Sequence, residues 1–462
     1  MATAMLDRPA SGGNAVPARI AFQARPLGRW AYMRALMRDP MSAYDERVVT
    51  ERIYRNGGGP FSWTLLDPDA IGRVFAKDAA NYWRPQFTLD LLWPLRNGLL
   101  TAPRPLWRTQ RRAMAPMFAP RHVRGFAPAM DRAARDWADR LAQQDGEVVD
   151  VSDAMTALAY DVLADALFSG EVAGDPAELM RAIDDMLLLL GKPDPVNLLG
   201  LPRFVPRPTE LRARPIVKLF RRLTDETVAM REARIARGDD VPDDFLTLLL
   251  RASDPETGVG LSRDVVIDNV LTFVAAGHET TARALTWALY LLAHHPGERE
   301  RLEAEIAAAG LSGDPADWWQ TLPFARAVID ETLRLYPSAP QLARMALEPT
   351  ELCGEPIAAG DVVVIPPYAV HRHRDLWGEP DLFRPDRFMG DARKAMHRYQ
   401  YLPFGAGERV CIGASFALQE AVILLVRLVE RARFEDAGER PHPRMAITLR
   451  PEPTMRLRVR AR

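Results

Sequence analysis

Between Ser262 and His295 the chain runs VVIDNVLTFVAAGHETTARALTWALYLLA, with no proline to break it. Ser262 is a good N-cap, Asp264 follows in the first turn where a carboxylate complements the dipole, and Pro296 closes the stretch. Roughly 30 residues at 1.5 Å each make a helix about 45 Å long, enough to cross a whole domain. A helix of that length, apolar on most faces, is central and buried, and the rest of the chain has to wrap round it.

Apolar residues at three- and four-residue spacing predict further amphipathic helices, 131–143 and 213–237 among them. Strand signals sit mainly at 361–365 and in the C-terminal MAITLRPEPTMRLRVR, which reads as a hairpin. The expected fold is mainly α with a small β portion. Residues 1–60, Pro- and Gly-rich and ending in Asn56-Gly57-Gly58-Gly59-Pro60, read as an irregular lead-in with short helices; 61–462 read as a single domain.

Acid and base nearly cancel, 61 Asp+Glu against 60 Lys+Arg, so no global field draws in nucleic acid or a membrane. The two cysteines, Cys353 and Cys411, cannot build a disulfide framework, which points to a reducing compartment. No signal-peptide core and no 18-residue apolar run is present, so the expectation is a cytoplasmic, monomeric protein.

Phe404-Gly405-Ala406-Gly407-Glu408-Arg409-Val410-Cys411-Ile412-Gly413 carries the most chemistry. Gly405 and Gly407 permit positive φ, so the chain can fold tightly against a flat cofactor. Gly413 opens a helix, and N–H groups at a helix start lower the pKa of a thiol such as Cys411 just ahead of them. A thiolate there can ligate haem iron, and Arg409 can reach an anionic propionate.

At these residues the chain resembles the cytochrome P450 family, whose haem-thiolate loop is F-x-x-G-x-R-x-C-x-G. Other motifs follow in the family's order, and the resemblance spans roughly residues 60 to 460. Ala276-Gly277-His278-Glu279-Thr280-Thr281 in the long helix looks like the oxygen-activation segment. The resemblance implies that Thr280 and Glu279 are the alcohol–acid pair delivering protons to dioxygen. Glu331-Thr332-Leu333-Arg334 is similar to the family's E-x-x-R, with Arg387 its third member; their role is structural. Trp107 and Arg111, four apart on one helix face, resemble a W-x-x-x-R that bonds one haem propionate, and Arg344 matches a further propionate arginine.

The sequence departs from the family's pattern in two places. Leu100-Thr101-Ala102-Pro103-Arg104 lacks a common Gly-Asp-Gly, and His371-Arg372-His373 is basic where many relatives carry Asp-Pro. The His371/His373 pair has metal-ligand spacing, but a plain loop is the stronger reading.

By resemblance the fold places haem b between the long central helix and the helix after the cysteine loop. The implied activity is insertion of one oxygen atom from O2 into a hydrophobic small molecule. With too few cysteines for an iron–sulfur cluster, electrons come from a ferredoxin or flavodoxin with its NAD(P)H-dependent reductase, and Arg108 and Arg112 suggest a basic patch for it. Candidate pocket residues are Phe87, Leu91, Trp93, Phe273, Val274, Ala276, Gln341 and Met455. The rival readings are a hydrogen-peroxide-driven peroxygenase and a non-catalytic haem-binding sensor. The Glu279–Thr280 pair argues against both.

Overall fold

The computed structural model describes residues 16–57, 61–175, 181–182, 185–186, 196 and 205–462; residues 1–15 and 58–60 of the expected lead-in lie outside them. The long helix spans Arg263–His294, as its composition demands, and is buried along most of its length. It packs on helix Val151–Phe168, helix Pro208–Arg237, helix Pro323–Leu335 and the post-cysteine helix Ala414–Arg431. A Cβ at Gly277 would come within 2.9 Å of Leu163, so this mid-helix glycine serves the crossing with Val151–Phe168. The two other expected helices are present as Ala127–Ala142 and within Pro208–Arg237.

Beside the helices stands a five-stranded sheet in the order Ile53–Arg55, Trp63–Leu65, Val362–Ile365, Leu342–Ala346, Tyr82–Trp83. Trp63–Leu65 runs parallel to Val362–Ile365 and the other pairs are antiparallel. The sheet delivers two site residues, Arg344 from an inner strand and Trp83 from the edge, where Trp83 pairs with Met345. Because Ile53–Arg55 pairs across residue 60, the lead-in joins the same sheet. It also reaches the core, where the Ile20 N–H donates to Tyr368 and the Tyr336 hydroxyl donates to the Ala18 carbonyl.

The C-terminal pairing differs from the expected hairpin. Leu449–Glu452 turns back on the preceding His442–Met445, while Arg456–Ala461 pairs with Ala432–Asp436 and Val148–Asp150. Pro453 separates the two runs, and alternation within a run does not reveal which distant edge it will find. Among the described residues no helix is long and apolar enough to cross a membrane.

Candidate functional site

The cysteine loop folds as its glycines require. Gly405 and Gly407 have φ of 68° and 71°, and a Cβ at Gly407 would sit 1.7 Å from the Phe75 carbonyl oxygen. The Cys411 N–H donates to the Phe404 carbonyl at 2.9 Å, and Gly413 caps helix Ala414–Arg431 directly behind it. Cys411 is surrounded by protein yet keeps exposed surface, so its sulfur faces open space. Burial pushes the thiol up; the Gly413 N–H and the charge of Arg111 pull it down, and burial prevails. The expected lowering by the helix start is therefore present but outweighed, and a cationic metal would be what holds the sulfur as thiolate.

Around the loop stands a group of guanidiniums short of anions. Arg409 is clamped between two indoles, 4.0 Å from the Trp83 ring centroid and 4.2 Å from that of Trp107. All three of its guanidinium nitrogens are buried without a hydrogen-bond partner. Burial, then the charge of Arg344, pushes Arg409 down to about 9, and burial brings Arg344 to about 10. Arg84 is depressed by burial and by both of these arginines, and burial also lowers Arg111. Glu408 is the carboxylate that offsets Arg344 and Arg409. Buried cations so poorly matched are costly unless an anion joins them. The residues fit a flat cofactor with two carboxylates on one edge and a metal for Cys411 at its centre, which is haem. Arg84 was not among the sequence candidates for this role; an arginine between Trp83 and Pro85 carries no signal until the fold brings it here.

Glu331 and Arg334 are fully buried and joined by two hydrogen bonds, Nε to Oε2 at 2.6 Å and Nη2 to Oε1 at 2.8 Å. Arg334 spends its remaining donors on the carbonyls of His371, Pro380 and Leu382. Arg387 stands 3.5 Å from Glu331, whose Oε1 also accepts the Arg384 N–H. His371 is buried and neutral, pushed down to about 3 by burial and by Arg334, and it accepts the Leu402 N–H at 2.7 Å. His373 bonds the Glu51 carbonyl. Both histidines tie backbone together, and among the described residues no cluster suited to a metal is present.

In the central helix the Thr280 hydroxyl donates to the Ala276 carbonyl at 2.9 Å, and Ala276 is exposed in mid-helix, facing open space. The Glu279 carboxylate is not brought to that hydroxyl. It is buried and held through Oε1 by Arg450 at 2.5 Å, Thr448 at 2.8 Å and Arg283 at 3.7 Å. A second acid, absent from the sequence candidates, lies near by. Glu420 on the post-cysteine helix is fully buried, accepts the Thr281 hydroxyl at 2.8 Å, and is pushed up to about 8 by burial. Its only trace in the sequence is an acid among the apolar residues in the first half of that helix.

The pocket candidates separate. Phe87, Leu91 and Trp93 are half-buried near the surface, and Trp93 lines a cleft of 520 Å³ with Leu92, Gln86 and Arg96. Phe273 packs edge-on to Phe118 at 5.4 Å within an aromatic cluster. Val274 and Met455 are buried in the core, and the Gln341 amide oxygen accepts from the Tyr44 hydroxyl at 2.7 Å. Arg112 is committed to Asp254, at 2.6 Å, and to Glu256, at 3.1 Å, which leaves Arg108 alone of the expected partner-facing pair.

Known proteins match both the sequence and the fold. Residues 57–458 match the family model described as cytochrome P450. The chain is 34% identical over 371 residues to cyclooctatin synthase of Streptomyces melanosporofaciens, covering 77% of this chain and 78% of that one. It is 35% identical over 331 residues to cyclooctat-9-en-7-ol 5-monooxygenase of the same organism, covering 71% and 70%. The crystal structure of the cytochrome P450DA heme domain superposes with a TM-score of 0.81 at 25% identity, covering 97% of this chain and 98% of that one.

Proposed function

The chain belongs to the cytochrome P450 family and is a haem-binding monooxygenase; from that premise we propose that it holds haem b through Cys411 and hydroxylates a hydrophobic small molecule with electrons from a separate ferredoxin or flavodoxin system. The observation that carries the reading is Arg409: three buried, partnerless nitrogens clamped between Trp83 and Trp107, two residues from a cysteine facing open space.

Bound haem supplies the binding and reductive activation of dioxygen, and the chain's residues decide where protons and substrate go. Arg84, Arg111, Arg344 and Arg409 would hold the propionates. Gly405 and Gly407 let the loop lie close enough to present the Cys411 sulfur. Thr280 presents a hydroxyl whose own proton is donated to the Ala276 carbonyl, so its oxygen is left to accept a hydrogen bond, and donating toward the open side requires the hydroxyl to leave that carbonyl. Glu279 is the proton carrier of the pair, and it works by exchanging Arg450 and Thr448 for Thr280 or a water beside it. The need for such a pair favours dioxygen over hydrogen peroxide as oxidant. Phe87, Leu91, Trp93, Phe273 and Ala276 supply the apolar surface for substrate.

The deciding experiment is the reduced, carbon-monoxide-bound spectrum of the purified protein and of Cys411→Ala, followed by NAD(P)H consumption coupled to product with surrogate redox partners. A red-shifted Soret band lost in the variant is the expected result. A histidine-type spectrum in the wild type would remove Cys411 as ligand, and haem without coupled turnover would favour a sensor.

A further inference from the structure

The near-zero net charge conceals a local excess. Residues 16–38 contain Arg19, Arg25, Arg29, Arg34 and Arg38 and no acid at all. The last three lie on helix Arg29–Arg38, which turns Tyr32 and Leu36 into the core. Residues 30, 34 and 37 share the opposite face at helical spacing, so Trp30, Arg34 and Met37 point outward together. Trp30 is 81% exposed and Met37 41%, among the largest exposed apolar side chains described. Apart from Arg19, which pairs with Asp381, none of these arginines has an ion-pair partner among the described residues.

The helix also borders a groove of 1410 Å³ lined by Ala31, Arg34, Ala35 and Arg38 together with Arg374 and Arg444. Seven arginines line the groove against four acids: Glu46 is paired with Arg374, Glu452 with Arg444 and Asp381 with Arg19, while Asp39 takes the Met41 N–H, so positive charge remains in excess and neither Arg34 nor Arg38 has an ion-pair partner among the described residues.

We propose that this face docks the protein on the surface of an anionic phospholipid bilayer, without crossing it. A centre of Trp and Met ringed by arginines is the pattern that seats an indole among headgroups while guanidiniums reach phosphate. A double-stranded nucleic acid, its bases already paired and stacked, would use the arginines but leave Trp30 and Met37 without an apolar counterpart. Peripheral docking also stands with the lack of any membrane-crossing helix among the described residues.

The test is flotation of the haem-loaded protein with vesicles of phosphatidylcholine alone and of phosphatidylcholine with an equal share of phosphatidylglycerol, at low and high salt. Binding is expected on the anionic vesicles only, falling with salt. Arg29→Gln, Arg34→Gln and Arg38→Gln should each weaken it about fivefold. Trp30→Ala should weaken it while leaving the salt dependence unchanged. Among the described residues these side chains make no hydrogen bond or ion pair that the substitutions would remove, and an unaltered carbon-monoxide spectrum verifies the fold of each variant. Equal binding to both vesicles, no binding to either, or anionic binding indifferent to the arginine variants overturns the proposal. So does self-association in sedimentation that Trp30→Ala abolishes, which would make the face a contact between copies.

Discussion

Arg334 and His371 bond each other's backbone: Arg334 Nη1 donates to the His371 carbonyl at 2.8 Å, and His371 Nδ1 donates to the Arg334 carbonyl at 3.2 Å. The remaining ring nitrogen of His371 accepts the Leu402 N–H, so a neutral imidazole couples the Glu331–Arg334 pair to the start of the cysteine loop. Folded His371 titrates near 3 and an unfolded histidine near 6.5, so between those values the unfolded chain binds more protons and stability falls as pH drops. The contribution is complete above pH 6.5 and amounts to about 4–5 kcal/mol over the whole window. Thermal melts of wild type and His371→Gln from pH 7 to pH 4 should therefore converge as acid removes what the substitution already removed; parallel curves would mean that His371 does not titrate between folded and unfolded states.

Breaking the Glu331–Arg334 pair leaves a fully buried charge alone, at a cost of about 3–5 kcal/mol. Glu331→Gln or Arg334→Ala is expected to abolish haem retention, read as the ratio of Soret to protein absorbance. Arg387→Gln should be milder, because Arg387 stands farther from Glu331 and keeps some solvent contact. Equal losses from Arg387 and Arg334 would contradict that ordering.

Arg409 should show opposite signs with and without cofactor. Without it, partnerless buried donors cost about 1–3 kcal/mol, so Arg409→Met is expected to stabilise the haem-free protein. With it, the same change removes a propionate partner and should speed haem transfer to an acceptor such as apomyoglobin. A variant that destabilises the haem-free form would show that Arg409 serves the fold, not the cofactor.

What the sequence made legible was local. The cysteine loop announces itself through Gly405, Gly407, Cys411 and the helix behind them, and the central helix through its length and composition. What it hid depends on pairings between distant segments. Glu279 finds Arg450 from a strand over 160 residues away, and Arg84 joins Arg344 and Arg409 only when the sheet is assembled. His371 looked like half a metal site because both its partners are backbone atoms, which no residue type advertises.

Glu420 offers a pH test of the buried acid. Its folded value near 8 lies above the unfolded 4.5, so burial favours the protonated form and stability declines as pH rises between those values. Glu420→Gln keeps an acceptor for Thr281 and never ionises. The melting temperature of the variant should gain on wild type from pH 5 to pH 8 and then level off. A constant difference across that range would show that Glu420 stays in one protonation state.

The last prediction concerns Glu279, whose carboxylate has two competing uses. If Arg450 holds it in reserve and release sends it to Thr280, then Glu279→Gln removes the proton carrier and Arg450→Gln merely frees it. General acid–base participation is worth about a hundredfold or more, so Glu279→Gln should cut coupled product formation by at least that factor while the carbon-monoxide spectrum stays unchanged. Arg450→Gln should preserve turnover. A carboxylate that only props the strand Leu449–Glu452 behaves differently, because both substitutions then break the same bridge and should lose haem and stability together. Full coupled turnover in Glu279→Gln would move the proton route elsewhere, and Glu420, one hydrogen bond from Thr281, is the next acid to test.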